Sequence, residues 1–184
     1  MEHKRRVTIS KFLSKHLRHQ PETLGLTLAE GGWVGIAALL EACGKHGFPI
    51  TRDELDEVVH TSDKKRFGID ESGVHIRAHQ GHSTPVDLQL GPLVPPAILY
   101  HGSAKKNLTV ILAFGLLKMK RHHVHLSPDT ASALTVGKRH GEPVLLAIDS
   151  ALMHARGHLF YRSDNGVWLT DHVPAEFLKV IDEI

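Results

Sequence analysis

The chain has 184 residues, 41% of them hydrophobic and 23% charged, which is enough apolar material for one large or two small cores and contains no run long enough for a transmembrane helix. Its one cysteine, Cys43, excludes an internal disulfide framework and a cysteine-based zinc site. A formal net charge of +2 conceals sixteen histidines and clustered Lys/Arg, whose local fields suggest an anionic ligand.

The first six residues are charged and lack the apolar centre of a signal peptide, so the expectation is a soluble, cytoplasmic protein with no membrane partner. Over residues 8–18, Ile9, Phe12, Leu13 and Leu17 recur at helical spacing among Lys11, Lys15 and Arg18, which predicts a basic amphipathic helix. It should stop at His19-Gln20, because Pro21 disfavours helix in the residue before it. Arg18 and His19 then lie at a helix C-terminus, where the macrodipole alone favours cations, so they have a structural explanation beside any functional one.

Gly31-Gly32-Trp33-Val34 reads as a turn and short strand, with Trp33 assigned to the core. A helix through Ile36, Leu39, Leu40 and Cys43 should end within 44–47. Thr51 followed three residues later by Glu54 is a capping box, opening a helix through Leu55, Val58 and Val59. Residues 66–70 and 74–78 flank Glu71-Ser72-Gly73 as a β-hairpin. Three helices and then a hairpin is the order of a winged helix, a module that binds nucleic acid or protein. Lys64, Lys65 and Arg66 at the wing entrance fit an anionic partner, and equally a solvated basic turn.

Gly91-Pro92-Leu93-Val94-Pro95-Pro96 marks the domain boundary, dividing the chain into lobes 1–91 and 92–184. Beyond it, residues 97–100 form a short apolar strand expected to stop at His101-Gly102-Ser103, where Gly102 would let a ligand approach the backbone closely. Residues 108–114 read as a helix capped by Gly115. Lys118-Met119-Lys120-Arg121-His122-His123-Val124-His125-Leu126-Ser127 then packs three cations and three histidines around the apolar Val124 and Leu126. Its last five residues predict a strand with His123, His125 and Ser127 on one face and Val124 and Leu126 on the other. That pattern suits a polar cleft with Arg121 at its mouth, and equally an edge strand with a solvated face.

A helix over 130–136, a basic loop over 137–141 and a buried strand over 144–148 follow. Residues 159–162 and 167–170 form a hairpin through Ser163-Asp164-Asn165-Gly166, and 177–181 is strand-like. The second half is thus mixed and strand-rich, giving an α+β chain overall. It holds no GxGxxG, GxxxxGK[ST] or HExxH, which removes support for a dinucleotide-binding doubly wound sheet, a P-loop or that zinc-protease site.

Several ordered segments together resemble the RNA 2′-phosphotransferases: Ser14-Lys15-His16-Leu17-Arg18-His19, Asp63-Lys64-Lys65-Arg66-Phe67, Ile76-Arg77-Ala78-His79-Gln80-Gly81-His82-Ser83, His101-Gly102-Ser103, residues 121–127 and Asn165-Gly166-Val167-Trp168-Leu169-Thr170. The resemblance spans nearly the whole chain. It implies an N-terminal winged-helix RNA-binding lobe and a C-terminal ADP-ribosyltransferase-like lobe that binds NAD. The implied reaction removes an internal 2′-phosphate from tRNA-like RNA, as in tRNA splicing, and needs no metal. The phosphate attacks C1″ of NAD and expels nicotinamide, and transesterification by O2″ then frees the RNA and ADP-ribose 1″,2″-cyclic phosphate. The working unit is expected to be a monomer.

By the same resemblance Arg18, His19, Arg66 and Arg121 match a catalytic Arg-His-Arg-Arg set drawn from three segments and both lobes. His101, Gly102, Ser103, His125 and Ser127 match the NAD-contacting segments, and Arg139 is a candidate for the pyrophosphate beside its reading as a solvated loop arginine. Two positions depart from the family pattern, Ser103 for threonine and Ser62 for asparagine, each keeping a small polar group. The competing functions are ADP-ribose transfer to terminal phosphates of RNA or DNA, and a non-catalytic NAD-sensing winged-helix protein that binds nucleic acid.

Overall fold

A computed structural model describes residues 1–61 and 65–181, His140 by its backbone alone. Ser62, Asp63 and Lys64, including the basic residue expected at the wing entrance, lie outside the described residues. The protein is of mixed α/β composition, with helices and several small antiparallel sheets, and it divides into two compact units, Met1–Gln89 and Leu90–Ile184.

In the first unit, helix α1 (His3–Arg18) buries Ile9, Leu13 and Leu17 completely along one stripe. Each such burial contributes about 1.5–3 kcal/mol. The helix begins earlier than apolar periodicity indicates, because its first turns are held by another helix, α3 (Arg52–Thr61). Arg5 Nε donates to Glu54 Oε1 at 2.9 Å, and the Met1 ammonium pairs with Glu57 at 3.0 Å. Between these helices come strand β1 (Val34–Gly35) and helix α2 (Ile36–Lys45). The expected capping box opens α3: Thr51 N–H donates to Glu54 Oε2 at 3.1 Å, and Glu54 N–H to Thr51 Oγ1 at 3.2 Å.

Strands β2 (Phe67–Ile69) and β3 (His75–Ala78) pair antiparallel, and β1 joins the other edge of β3, giving the order β1-β3-β2. The hairpin turn is tied by Asp70, whose carboxylate accepts from the main-chain N–H of Val74 and His75 and from the His75 ring. These bonds, led by the His75 N–H, hold its carboxyl well below the ordinary range. Trp33 departs from its expected place in the core. It is half-buried, with the Arg77 guanidinium 4.6 Å from its ring centroid, and a cation drawn to the ring face keeps it at the surface. Cys43 is fully buried, and burial pushes its thiol up to about 11, so it packs as an inert small side chain.

In the second unit, strand β4 (Ile98–Ala104) is followed by helix α4 (Leu108–Phe114), strands β5 (Leu116–Leu117) and β6 (Val124–Leu126), and helix α5 (Thr130–Gly137). Then come β7 (Pro143–Asp149), α6 (Ser150–Ala155), β8 (Phe160–Arg162), β9 (Trp168–Thr170), β10 (His172–Val173) and β11 (Leu178–Ile181). One sheet has the order β11-β7-β4, another β6-β9-β8, and β10 pairs with β5. Main-chain bonds from Tyr100 N–H to Ser127 O (2.9 Å) and back (2.8 Å) stitch β4 to the end of β6. Leu99, Leu126, Leu146, Ile148 and Phe160 fill the core between these layers.

Two strand boundaries differ from expectation. β4 does not stop at residue 100 but continues through His101, Gly102 and Ser103, which face Leu146, Leu145 and Val144 of β7. The ladder supplies hydrogen bonds that the sequence pattern does not reveal. β6 covers only three of the five residues expected, with His123 before it and Ser127 after it as a bridge.

Candidate functional site

The charged candidates of the first unit converge at one end of α1. Arg18 is its last helical residue and His19 its C-cap. The chain folds back so that Ser83 and Thr84 both donate main-chain N–H bonds to the Arg18 carbonyl, at 2.9 and 3.3 Å. The Ser83 hydroxyl reaches His19 Nδ1 at 2.9 Å. Arg66, just before β2, is held in the same way by its own carbonyl, which accepts from His79 N–H at 3.0 Å and from Arg18 Nη2 at 3.4 Å. Its guanidinium reaches the Ser10 hydroxyl at 3.4 Å, and the Arg18 guanidinium lies 5.9 Å from the Phe67 ring centroid. Arg18, His19 and Arg66 are therefore neighbours, although 48 residues separate the two arginines.

Ser10 and Ser83 were not singled out by sequence reasoning as individual residues. Ser10 had a usable signal. It lies two helical turns before Arg18 on α1 and is buried beside the apolar stripe, where a hydroxyl needs a partner. Nearby, His16 is buried with its Nδ1 2.9 Å from the Thr23 hydroxyl and 3.2 Å from the Gln20 carbonyl, and burial holds its pKa below the ordinary value.

In the second unit the candidates lie on β4 and β6. Val124 and Leu126 are buried while His125 and Ser127 are half-buried on the other side, so the expected alternation holds where the strand exists. His101 Nδ1 donates to the main-chain carbonyl of His125 at 2.9 Å. Arg121 Nη1 donates to the His125 ring at Nδ1, also at 2.9 Å. Arg121 is presented by a tight turn closed by its N–H on the Lys118 carbonyl at 3.0 Å, with Met119 in the left-handed region at φ 54°. Lys118 anchors that turn by an ion pair with Asp171, which holds the Asp171 carboxyl below its ordinary value. Arg121 itself is exposed.

His123 packs its ring 5.5 Å from that of Tyr161, and burial, with His122 and Lys118 adding to it, lowers its pKa. It makes no hydrogen bond to His125 or Ser127 among the described residues. Ser103 is only 8% exposed and accepts from Asn107 Nδ2 at 3.4 Å. Gly102 is needed for packing. A Cβ there would sit 1.8 Å from the Ala133 carbonyl oxygen and 2.9 Å from Gly137 N, so the close approach expected of a ligand at its Cα is made by α5. Arg139 is exposed in the 3-10 turn Lys138–His140, directly after the glycine that packs on Gly102 and Ser103.

The donor set along these two strands is two imidazoles, two hydroxyls, a guanidinium and main-chain amides. It suits a polyhydroxylated, anionic small molecule, since each group donates to or accepts from hydroxyl and phosphoryl oxygens. Among the described residues no cluster of three or more His, Cys, Asp or Glu gathers as a metal would require, and no helix is long and apolar enough to cross a membrane.

A family model described as RNA 2′-phosphotransferase, Tpt1 / KptA family, matches residues 4–172. The chain is 58% identical over 182 residues to a probable RNA 2′-phosphotransferase of Trichormus variabilis, covering 99% of this chain and 100% of the relative. It is 58% identical over 181 residues to a protein of the same description from Nostoc punctiforme, covering 98% and 100%. A third, from Streptomyces coelicolor, is 56% identical over 179 residues, covering 97% of each chain.

Proposed function

The chain belongs to the RNA 2′-phosphotransferase, Tpt1 / KptA family, and on that premise we propose that it removes an internal 2′-phosphate from RNA with NAD as the acceptor. The observation that carries this reading is the direct bond from Arg121 to His125, whose carbonyl in turn accepts from His101. A phosphate-binding cation and the proposed NAD-binding histidines thereby form one continuous array.

We read Met1–Gln89, and the lobe 1–91 expected from sequence, as the winged-helix RNA lobe, and 92–184 as the ADP-ribosyltransferase-like lobe. Arg18, Arg66 and Arg121 bind the 2′-phosphate. A monoester with about −1.5 to −2 charges near neutral pH is better matched by forked guanidinium groups than by lysine point charges. As charge builds on the phosphoryl oxygens during transesterification, the same arginines stabilise it without having to reorganise. His19, oriented by Ser83, donates a hydrogen bond or moves a proton at the phosphate.

NAD, when bound, supplies the electrophilic ribose carbon and the nicotinamide leaving group. His101, Ser103, His125 and Ser127 hold its hydroxyls and carboxamide, Gly102 contributes main-chain groups, and Arg139 approaches the pyrophosphate. We read the protein as a cytoplasmic monomer, a compartment in keeping with its one inert, buried thiol.

The test is product analysis after mixing the chain with NAD and an oligoribonucleotide bearing one internal 2′-phosphate. Dephosphorylated RNA and ADP-ribose 1″,2″-cyclic phosphate are expected. Formation of neither by a folded protein that binds NAD would overturn the proposal. A stable ADP-ribose adduct on a 5′-phosphorylated oligonucleotide, with no action on the 2′-phosphate, would establish the terminal-phosphate reading instead.

A further inference from the structure

We propose that the turn Lys118-Met119-Lys120-Arg121 is a docking surface for single-stranded RNA, in which Met119 packs against the base of a nucleotide next to the 2′-phosphate and Lys120 meets a backbone phosphate. The inference rests on the reading of Arg121 as a phosphate-binding residue and deepens it.

The turn breaks a conformational rule at Met119. Among the described residues, Lys65, Gln89 and Met119 are the non-glycines in the left-handed region, and Met119, at φ 54°, is the apolar one. An L side chain is strained there, and glycine or asparagine would fill the place more easily. Met119 is also 83% exposed, so the core gains nothing from it. A strained residue whose side chain stands outside the packing points to a task beyond the fold.

Charge identifies the partner. Between Asp87 and Asp129 the sequence has no acidic residue, whereas Lys105, Lys106, Lys118, Lys120 and Arg121 all fall within that stretch. Among the described residues, the acidic groups that pair with it come from elsewhere, Glu142 on Lys105 and Asp171 on Lys118. Leu117-Lys118-Met119-Lys120 alternates apolar and basic side chains, all of them exposed. Single-stranded RNA has the complementary alternation, flat bases joined by phosphates, and its unstacked bases are bound by packing on side chains. The polarizable thioether of methionine makes favourable contacts with aromatic rings.

Geometry ties the turn to the phosphate. The bond from Arg121 N–H to the Lys118 carbonyl, at 3.0 Å, closes a turn whose ends lie within about 7 Å of each other. Met119 and Lys120 are therefore adjacent to Arg121, as the next nucleotide is adjacent to the phosphorylated one.

The experiment measures fluorescence anisotropy of a single-stranded oligoribonucleotide with one internal 2′-phosphate, titrated with the full chain in the absence of NAD so that nothing turns over. Met119→Gly removes the side chain and accepts the left-handed φ without strain. Its affinity for this RNA should fall roughly fivefold, the effect of one thioether–ring contact. Its urea unfolding midpoint should be unchanged or higher. Two further oligonucleotides carry an abasic ribose on the 5′ or the 3′ side of the phosphorylated nucleotide. At one of these positions the wild type should lose the same factor, and Met119→Gly should lose nothing more. Lys120→Ala should lower the slope of log affinity against log salt by about 0.7, the effect of one phosphate contact on a single strand.

Additive losses from Met119→Gly and from each abasic ribose overturn the proposal. A wild type indifferent to both flanking bases also overturns it, and that result needs no variant. Unchanged RNA affinity in Met119→Gly, with loss of self-association or of binding to vesicles of anionic phospholipid, assigns the turn to another partner and overturns it as well. If the losses are coupled but the wild type with NAD yields no dephosphorylated RNA, the docking surface stands and the reading of the activity fails.

Discussion

The two units hold their candidate side chains by different means. In the first, the arginines are located through their main chains: the Arg18 carbonyl is gripped by Ser83 and Thr84 N–H groups and the Arg66 carbonyl by His79, while the described side-chain contacts, at 3.4 Å, are long. In the second, the side chains hold one another, with Arg121 on His125 at 2.9 Å. Main-chain anchoring fixes where a long side chain starts. Side-chain anchoring fixes the terminal atoms themselves.

The largest effects should come from the first unit's own cations. Arg18→Ala and Arg66→Ala should each slow the step that releases RNA by on the order of a hundredfold or more, so that ADP-ribosylated RNA accumulates on gels. Ser83→Ala, which removes a hydroxyl but keeps the N–H that grips Arg18, should cost less than about tenfold. Equal losses from Ser83→Ala and Arg18→Ala would break the distinction between main-chain and side-chain anchoring.

Gly102→Ala tests the packing of the second unit. The added methyl would have to displace the main chain of α5 at Ala133, so a loss of about 2–3 kcal/mol is expected from urea unfolding of the full chain. An unchanged unfolding midpoint would show that α5 yields without cost.

The smallest effect is a pH dependence shared by both units. Burial lowers the pKa of His16 in the first and of His123 in the second, so the unfolded chain binds protons more readily than the folded one below about pH 6.5. Stability therefore rises with pH in that window and is lost on acidification. Thermal melts should show a lower Tm at pH 5.5 than at pH 7, with a smaller difference in His16→Gln and His123→Gln. A Tm that rises on acidification would contradict the burial argument.

Much of this was legible in the sequence because it depends on neighbours along the chain. The capping box at Thr51 and Glu54, the helix end at Arg18 and the buried pair Val124 and Leu126 follow from local spacing, and the family resemblance gathers the ordered segments. Short elements such as β5, β10 and α6 were missed, since two to six residues carry no period to read.

What the sequence by itself determined was the mixed α/β character, the single inert thiol and the residue types capable of phosphate chemistry. Only the tertiary structure decided that β4 runs on through His101, Gly102 and Ser103, because β7 supplies the ladder and α5 takes the space beside the glycine. It also decided that Trp33 lies under Arg77 instead of in the core.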